Sequence, residues 1–154
     1  GVDVSCPIAF SPDGKFLARG IRIALWALAD MTPRLVFEDD DEDRCFEAVA
    51  FSPNGGVLAA QGTREPLRRW AVDSGKPLPG GWGVNRGESY EDRFPGACVA
   101  YAPGGDVLAT SFGVRGKQGY DSVIYLWDAE TGDLRGQVQT KLAYSHPTAI
   151  TFSP

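Results

Sequence analysis

The residues that could do chemistry in this chain are few and far apart. The sequence contains one histidine, His146, and three cysteines, Cys6, Cys45 and Cys98. No Cys-x-x-Cys pair gives the spacing of a zinc site, and no nucleophile is paired with a general base. We therefore expect a protein that is not an enzyme and uses no metal or cofactor. The cysteines are typical of small buried residues in a reducing compartment, which predicts a cytoplasmic location.

One charged stretch stands out, a run of six consecutive acidic residues at positions 38–43. Such a run is typical of a solvated loop whose charges repel one another. It also suits the docking of a basic protein or peptide, and calcium is a third alternative, although the spacing does not match an EF-hand loop. The net charge of −5 argues against nucleic acid and anionic membranes as partners. The six residues are Glu38, Asp39, Asp40, Asp41, Glu42 and Asp43.

Two further segments depart from their surroundings. Residues 83–95 are longer than a typical hairpin loop, and we interpret them as a link that carries recognition or covers a sheet edge. Residues 113–120 form an insertion with three glycines, but no G-K-[ST] sequence or following helix supports a phosphate loop. The candidate partner-binding residues in and near these segments are Trp82, Arg86, Tyr90, Arg93, Phe94, Arg115 and Lys117.

A repeated phrase indicates which elements position these segments. Each copy follows a short apolar run, and the first three supply proline and glycine for a turn between two strands. The copies begin at positions 10, 51, 101 and 152, a spacing typical of units that bury their apolar faces against their neighbours. They read Phe10-Ser11-Pro12-Asp13-Gly14, Phe51-Ser52-Pro53-Asn54-Gly55, Tyr101-Ala102-Pro103-Gly104-Gly105 and Phe152-Ser153-Pro154.

The repeat predicts four antiparallel strands in each unit. The units span roughly 4–37, 45–82 and 97–142 of a single segment, 1–154, and residues 147–154 begin a fourth unit. In the second unit we place the fourth strand at roughly 77–82. Because aromatic residues recur at fixed positions of the repeat, we predict that they pack in the core. These residues are Phe10, Phe51, Tyr101 and Phe152 in the phrase, and Trp26, Trp70 and Trp127 at the end of the third strand.

The phrase, the apolar strand before it and the tryptophan that closes the third strand resemble the WD-repeat family of β-propellers. The best match, residues 121–128, carries the Trp-Asp pair of that family at Trp127 and Asp128. Trp26 and Trp70 are followed by alanine instead, and the Gly-His pair of the family is missing before each unit. The resemblance covers nearly the whole chain. It implies an all-β propeller segment of four-stranded antiparallel blades.

The resemblance also implies a polar network within a blade, because many family members join His, Asp, Ser/Thr and Trp side chains by hydrogen bonds. Here Asp121, Ser111 and Trp127 would supply part of that network. Closed propellers have about 4–8 blades, so about three blades and one extra inner strand do not close a ring. We expect the remaining propeller blades, or further copies of the chain, to complete it.

The function implied by the resemblance is that of a non-catalytic protein–protein interaction scaffold. The alternatives are a propeller enzyme or small-ligand protein whose site lies in the central channel or outside this segment, and a purely architectural spacer. Loops alternate between the two ends of an antiparallel blade, which places 38–43, 83–95 and 113–120 on one face. We predict that this face binds the partner, with the acidic run steering a basic segment and Trp82, Tyr90 or Phe94 as apolar anchors.

Overall fold

The chain is all β in the part that the computed structural model describes. These residues are 7–20, 23–37, 46–62, 67–79, 93–116, 119–140 and 149–153; only the backbone is described at 93–96, 112–116, 119–121 and 140. They contain three antiparallel sheets of three or four strands, which confirms the predicted fold class at the level of an all-β protein.

The first sheet has four strands in chain order. The phrase makes the first turn, in which the N–H of Gly14 donates to the carbonyl of Ser11 at 2.9 Å. Gly14 has a φ of 69°, a conformation that glycine adopts without steric cost. Residues 24–27, where alanine and leucine favour helix, are a strand because both neighbouring strands pair with them. The strands are β1 (Ile8–Phe10), β2 (Phe16–Arg19), β3 (Ala24–Ala27) and β4 (Thr32–Val36).

The second sheet has three strands, β5 (Ala48–Phe51), β6 (Val57–Gln61) and β7 (Arg68–Ala71). The fourth strand predicted at 77–82 is reduced, within the described residues 77–79, to a single bridge between Trp70 and Pro77. Proline has no N–H to give to a strand ladder, and both Pro77 and Pro79 lie in this stretch. Residues 80–82 lie outside the described part of the chain.

The third sheet is the largest. Its strands are β8 (Arg93–Tyr101), β9 (Val107–Gly116), β10 (Gly119–Asp128) and β11 (Leu134–Thr140). The insertion at 113–120, predicted as a loop, instead lengthens β9 and β10 equally, and Gly116 pairs with Gly119. Residues 93–95, predicted to end a loop, belong to β8. Both loop predictions were wrong here, because an insertion shared by two adjacent strands adds paired residues to a hairpin.

The predicted first strand of a fourth unit is not formed by residues 149–153, which are assigned to no strand. In the other units this strand pairs with the second strand of the same unit.

Each sheet carries a row of three large side chains on one face and a pair of alanines on the other. Three cross-strand neighbours, the aromatic residue of the phrase, a leucine and the tryptophan, form what we call a large row. On the opposite face, a pair of alanines forms a small row. The large rows are Phe10-Leu17-Trp26, Phe51-Leu58-Trp70 and Tyr101-Leu108-Trp127. The small rows are Ala9-Ala18, Ala50-Ala59 and Ala100-Ala109.

The large rows pack on the small rows of the preceding sheet. One buried cluster joins the second large row to Ala9 and Ala18 of the first sheet. A second cluster joins the third large row to Ala50 and Ala59 of the second sheet. The three sheets therefore stack in chain order, and two inter-sheet cores of the same pattern hold them together.

The first large row has no sheet over it within the described residues. Phe10 is 61% exposed and Trp26 is only partly buried, whereas Phe51 and Trp70 are buried. The predicted core position was therefore wrong for Phe10. The physical reason is that the phrase fixes which face the aromatic side chain occupies, and only a neighbouring sheet can cover that face.

Candidate functional site

The extended end of the third sheet brings together three of the predicted partner-binding residues. In the ladder Arg93 pairs with Val114, and Arg115 pairs with Tyr120. Phe94 pairs with the neighbouring Gly113, so that β8, β9 and β10 all reach this end. The remaining predicted site residues lie outside the described part of the chain: Glu38, Asp39, Asp40, Asp41, Glu42, Asp43, Trp82, Arg86, Tyr90 and Lys117.

Among the residues that the structure describes, only the third sheet has this extended end. Strand β9 has ten residues where its counterpart in the second sheet, β6, has five. At about 3.3 Å per residue, the five additional residues extend the strand by roughly 17 Å. We call this extension, residues 112–116 with 119–122, the ribbon. Arg115 lies in the ribbon, and Arg93 and Phe94 lie beside it on β8, a basic and aromatic composition suited to contact with another macromolecule.

A buried hydrogen bond secures the strands below the ribbon. The indole Nε1 of Trp127 donates to Oγ1 of Thr110 at 2.9 Å. We had predicted Ser111 for this network, which was wrong because successive residues of a strand point to opposite faces. Thr110 pairs with Tyr125 on the face of Trp127, while Ser111 pairs with Ile124 on the other face. The side chain of Asp121, the other predicted member, is outside the described part.

A network of ion pairs and hydrogen bonds stabilises the end of the third sheet opposite the ribbon. Arg135 contacts the carboxylates of Asp128 at 2.7 Å and Asp106 at 3.0 Å. Asp128 also accepts hydrogen bonds from the N–H groups of Thr131 and Glu130. The Thr131 N–H and the Arg135 side chain hold the pKa of Asp128 well below its usual range. These charges are engaged with one another across the turn, so we assign the network a structural role.

The stacking of the sheets also creates a cleft that the sequence did not predict. It lies between the first and second sheets at the end opposite the ribbon, with a volume of about 1200 Å³. Phe16, Leu35 and Val72 give it an apolar wall, and Lys15 and Asp73 add charged side chains. Because the lining residues come from two repeat units that are far apart in sequence, no local sequence pattern predicts this cleft.

A more polar cleft of about 520 Å³ lies between the second and third sheets. Its Arg69 donates from Nη1 to the carbonyl of Ala129 at 2.8 Å and bridges the two sheets. Burial raises the pKa of Tyr101 to about 12, so its phenol stays protonated at neutral pH. A protonated phenol is not a general base, and the cleft offers a polar contact surface in place of an acid–base pair.

The remaining chemistry-bearing residues form no reactive centre in the described part of the chain. Cys98 is buried, and loss of hydration raises the pKa of its thiol, which keeps it neutral and poorly nucleophilic. Among the described residues, no group of three or more His, Cys, Asp or Glu side chains could hold a metal ion. Cys6, Cys45 and His146 lie outside that part.

The described ranges also contain no helix that is long and apolar enough to span a membrane.

The fold and site define a class of protein: an all-β chain of stacked antiparallel sheets with one extended ribbon. No protein-family model matches the chain, and no curated protein matches its sequence.

Proposed function

We propose that the chain is a non-catalytic protein–protein interaction scaffold, built as a segment of a WD-repeat β-propeller. The observation that supports this architecture is that both inter-sheet cores are built in the same way, with the large row of one sheet packed on the small row of the preceding sheet. A radial array of four-stranded sheets needs such a repeated interface, because each sheet must offer its two faces to two different neighbours. The repeated phrase and the hydrogen-bonded Trp127 are the features shared with that family.

The partner-binding surface in this proposal is the end of the molecule that carries the ribbon. Arg93, Phe94 and Arg115 lie there on paired strands, which hold a recognition surface more rigidly than an unpaired loop would. The acidic run at 38–43 belongs to the same proposed face and attracts a basic protein or peptide. Aromatic and arginine side chains are common anchors of protein interfaces.

The experiment is a binding titration with a fluorescent peptide rich in lysine and arginine, followed by anisotropy at low and high salt. One variant neutralises the run by Asp39→Asn, Asp40→Asn, Asp41→Asn and Asp43→Asn. A second replaces residues 113–122 by Asn-Gly, which keeps Phe112 paired with Val123 and restores a short hairpin. The control, Asp30→Asn, changes an exposed charge in the turn between β3 and β4, at the opposite end of the strands.

We expect neutralising the run to weaken peptide binding about tenfold or more, because the exposed acidic side chains attract the basic peptide. Dissolved salt screens this attraction, so the affinity of the neutralised variant should depend less on salt concentration. Trimming the ribbon removes the cations Arg115 and Lys117 together with Asp121, so a lower affinity after trimming reports lost contact surface and not lost charge attraction. The control leaves affinity unchanged. Equal affinity for the two site variants and the original chain, or a loss confined to Asp30→Asn, would contradict the proposed face. Failure of the original chain to bind the basic peptide would contradict the proposed partner class.

A further inference from the structure

The cleft between the first and second sheets has a smaller counterpart between the second and third sheets. We call the first, walled by Phe16, Leu35 and Val72, the apolar cleft, and the second, which contains Arg69, the polar cleft. Their volumes are about 1200 Å³ and about 520 Å³. Both interfaces pack a large row on a small row, so side chains at matched positions account for the difference.

One matched position explains why the apolar cleft stays open. The residue before the tryptophan is Leu25 in the first sheet and Arg69 in the second, and each pairs with an alanine of the small row. Both therefore lie on the face that meets the next sheet. Arg69 crosses the polar cleft and donates from Nη1 to the carbonyl of Ala129 at 2.8 Å. Leu25 is shorter and has no donor, so the corresponding space between the first and second sheets is not bridged.

The acceptor on the far wall is retained in the apolar cleft. Val72 is the counterpart of Ala129, two residues after the tryptophan. Its N–H donates to Gly56 at 3.0 Å, as that of Ala129 donates to Asp106 at 2.9 Å. The carbonyl of Ala129 accepts from Arg69, whereas among the described residues nothing donates to the carbonyl of Val72. The apolar cleft thus has the acceptor without the arginine that uses it next door.

The charges around the apolar cleft favour a cationic ligand. Nζ of Lys15 lies 3.3 Å from the carboxylate of Asp13, and Nη2 of Arg34 lies 2.7 Å from that of Asp30, so both cations are paired. Asp73 also lines the cleft and makes no ion pair with another described residue. One carboxylate therefore remains to pair with a charge brought by the ligand.

Contacts between the two sheets form the cleft before any ligand binds. A Cβ placed on Gly75 would lie 2.9 Å from Cδ2 of Leu35, and one on Gly55 would lie 3.6 Å from Cδ of Pro12. These close approaches fix the distance between the two walls. Preformed clefts with mostly apolar walls and a few polar groups are typical ligand sites.

From these features we infer that the apolar cleft binds an arginine of a partner peptide, flanked by apolar residues. This arginine takes the place that Arg69 has in the next interface. Its guanidinium pairs with Asp73 and donates to the carbonyl of Val72. Its methylene stem and the flanking side chains pack on Phe16 and Leu35.

The guanidinium is the cation that fits this pair of acceptors. Arg69 donates to two carbonyls at once, those of Ala129 at 2.8 Å and Pro79 at 3.3 Å. A planar group with five donors can bind a carboxylate and a carbonyl together, whereas an ammonium is a compact point charge that holds its water more strongly.

The cleft is separate from the proposed partner-binding face, because it lies at the opposite end from the ribbon and includes no residue of the acidic run. A peptide of lysine and arginine alone has no apolar flanks for the cleft walls. Titration with such a peptide therefore tests the ribbon face, and a peptide with a single arginine tests the cleft.

The test is an anisotropy titration with a fluorescent peptide in which one arginine lies between two leucines and the ends are uncharged serines. A second peptide carries citrulline in place of arginine, which keeps the shape of the side chain without its charge. Asp73→Asn removes the charge of the cleft wall. Glu130→Gln is the matched control, because Glu130 is the counterpart of Asp73 at the polar cleft, where Arg69 is already in place.

A further variant, Leu25→Arg, fills the cleft from within. Its side chain should reach the carbonyl of Val72 as Arg69 reaches that of Ala129. If circular dichroism shows that this variant does not fold, Asp73→Lys replaces it, since Asp73 is an exposed turn residue and the change reverses its charge.

We expect the arginine peptide to bind about tenfold more tightly than the citrulline peptide, because hydrogen bonds to charged groups are the stronger ones. Asp73→Asn should weaken binding of the arginine peptide about fivefold and leave that of the citrulline peptide unchanged. Glu130→Gln should change neither affinity. Leu25→Arg should abolish binding of both peptides, and Asp73→Lys that of the arginine peptide.

Equal affinity for the two peptides, or no binding of either, overturns the inference. So does an equal loss for Asp73→Asn and Glu130→Gln, which would indicate a general effect of charge. The variant with the trimmed ribbon should bind the arginine peptide as the original chain does. A loss in that variant would place the arginine peptide on the ribbon face and not in the cleft, whereas failure of the lysine- and arginine-rich peptide alone would contradict only the proposed function.

Discussion

The first and second sheets carry nearly the same phrase, yet their aromatic residues have different surroundings. Phe10 is 61% exposed and Phe51 is 8% exposed. The turns that follow are alike: Ser11 and Ser52 each donate from Oγ to the side chain two residues later, at 2.6 and 2.7 Å. In both turns the serine Oγ also accepts from the backbone N–H five residues later, at 2.9 Å.

Local sequence therefore determines the turn, whereas the neighbouring sheet determines whether the aromatic side chain is buried. Serine, proline and glycine determine the turn, and the turn places the aromatic side chain on one face of its sheet. Whether this side chain is buried depends on the sheet that lies over that face. Phe51 has the first sheet as its neighbour, and within the described residues Phe10 has none.

The largest expected effect comes from comparing the tryptophans of these two sheets. Trp70 is 1% exposed and packs against Phe37 and Phe46 with ring centroids 5.8 and 5.5 Å away. Trp70→Ala should cost about 3–5 kcal/mol of unfolding free energy, whereas Trp26→Ala costs clearly less because its side chain is partly solvated. Urea unfolding at equal, dilute protein concentration measures both. A loss below about 1 kcal/mol for Trp70→Ala would contradict the stacking.

The same comparison at the phrase gives a somewhat smaller effect. Phe51→Ala should lower the unfolding free energy by about 3 kcal/mol, and Phe10→Ala in dilute solution by less than about 1 kcal/mol. Equal losses in dilute solution would mean that the two faces are equally covered.

A hydrogen bond distinguishes the third sheet from the second at a matched position. Thr110 accepts from Trp127, and the corresponding residue of the second sheet is Ala60. Thr110→Val keeps the shape but leaves the indole N–H without its acceptor, which should cost about 1–2 kcal/mol. Thr110→Ser retains the hydroxyl and should cost less. If the two variants unfold at the same urea concentration, the bond contributes nothing measurable.

The smallest effect concerns pH. Hydrogen bonds from Thr131 and Arg135 lower the pKa of Asp128, whereas the hydroxyl of Thr32 makes the largest contribution to lowering that of Asp30 in the first sheet. A carboxyl with a lowered pKa stabilises the fold above its ordinary value of 3.8, and this stability is lost as pH falls through the folded-state value. Asp128→Asn should therefore weaken the protein at neutral pH and flatten its acid sensitivity, more than Asp30→Asn does. Urea midpoints measured at neutral and acidic pH check both variants.

The sequence predicted the parts of the fold that depend on local chemistry. Turn residues in the sequence predict a second strand of the second unit at 57–61 and a fourth strand of the third unit at 134–140, and β6 and β11 have these bounds. The ribbon was missed because three glycines suggested a loop, although two of them, Gly116 and Gly119, pair with each other in the ladder. The exposure of Phe10 and the cleft around Phe16 and Val72 were missed because both depend on which sheets become neighbours.

For the candidate site, the sequence identified residues but not the secondary structure in which they lie. Arg93, Phe94 and Arg115 were selected from apparent loops, and the structure places them on the paired strands of the third sheet. Ser111 was chosen for the tryptophan network on residue type alone, and strand alternation gives that position to Thr110. Trp127 pairs with Leu108, and alternate residues of a strand share a face, so the next residue of β9 on the face of Trp127 is Thr110.

Equivalent phrase residues differ in burial because each sheet is covered only by its neighbour. The most direct measurement is the solvent isotope shift of fluorine resonances between H₂O and D₂O, in dilute protein whose eight phenylalanines are replaced by 4-fluorophenylalanine. Phe10→Leu and Phe51→Leu variants assign the two resonances. We expect a large isotope shift at the exposed Phe10 and almost none at the buried Phe51. Equal shifts at the two positions would contradict this expectation.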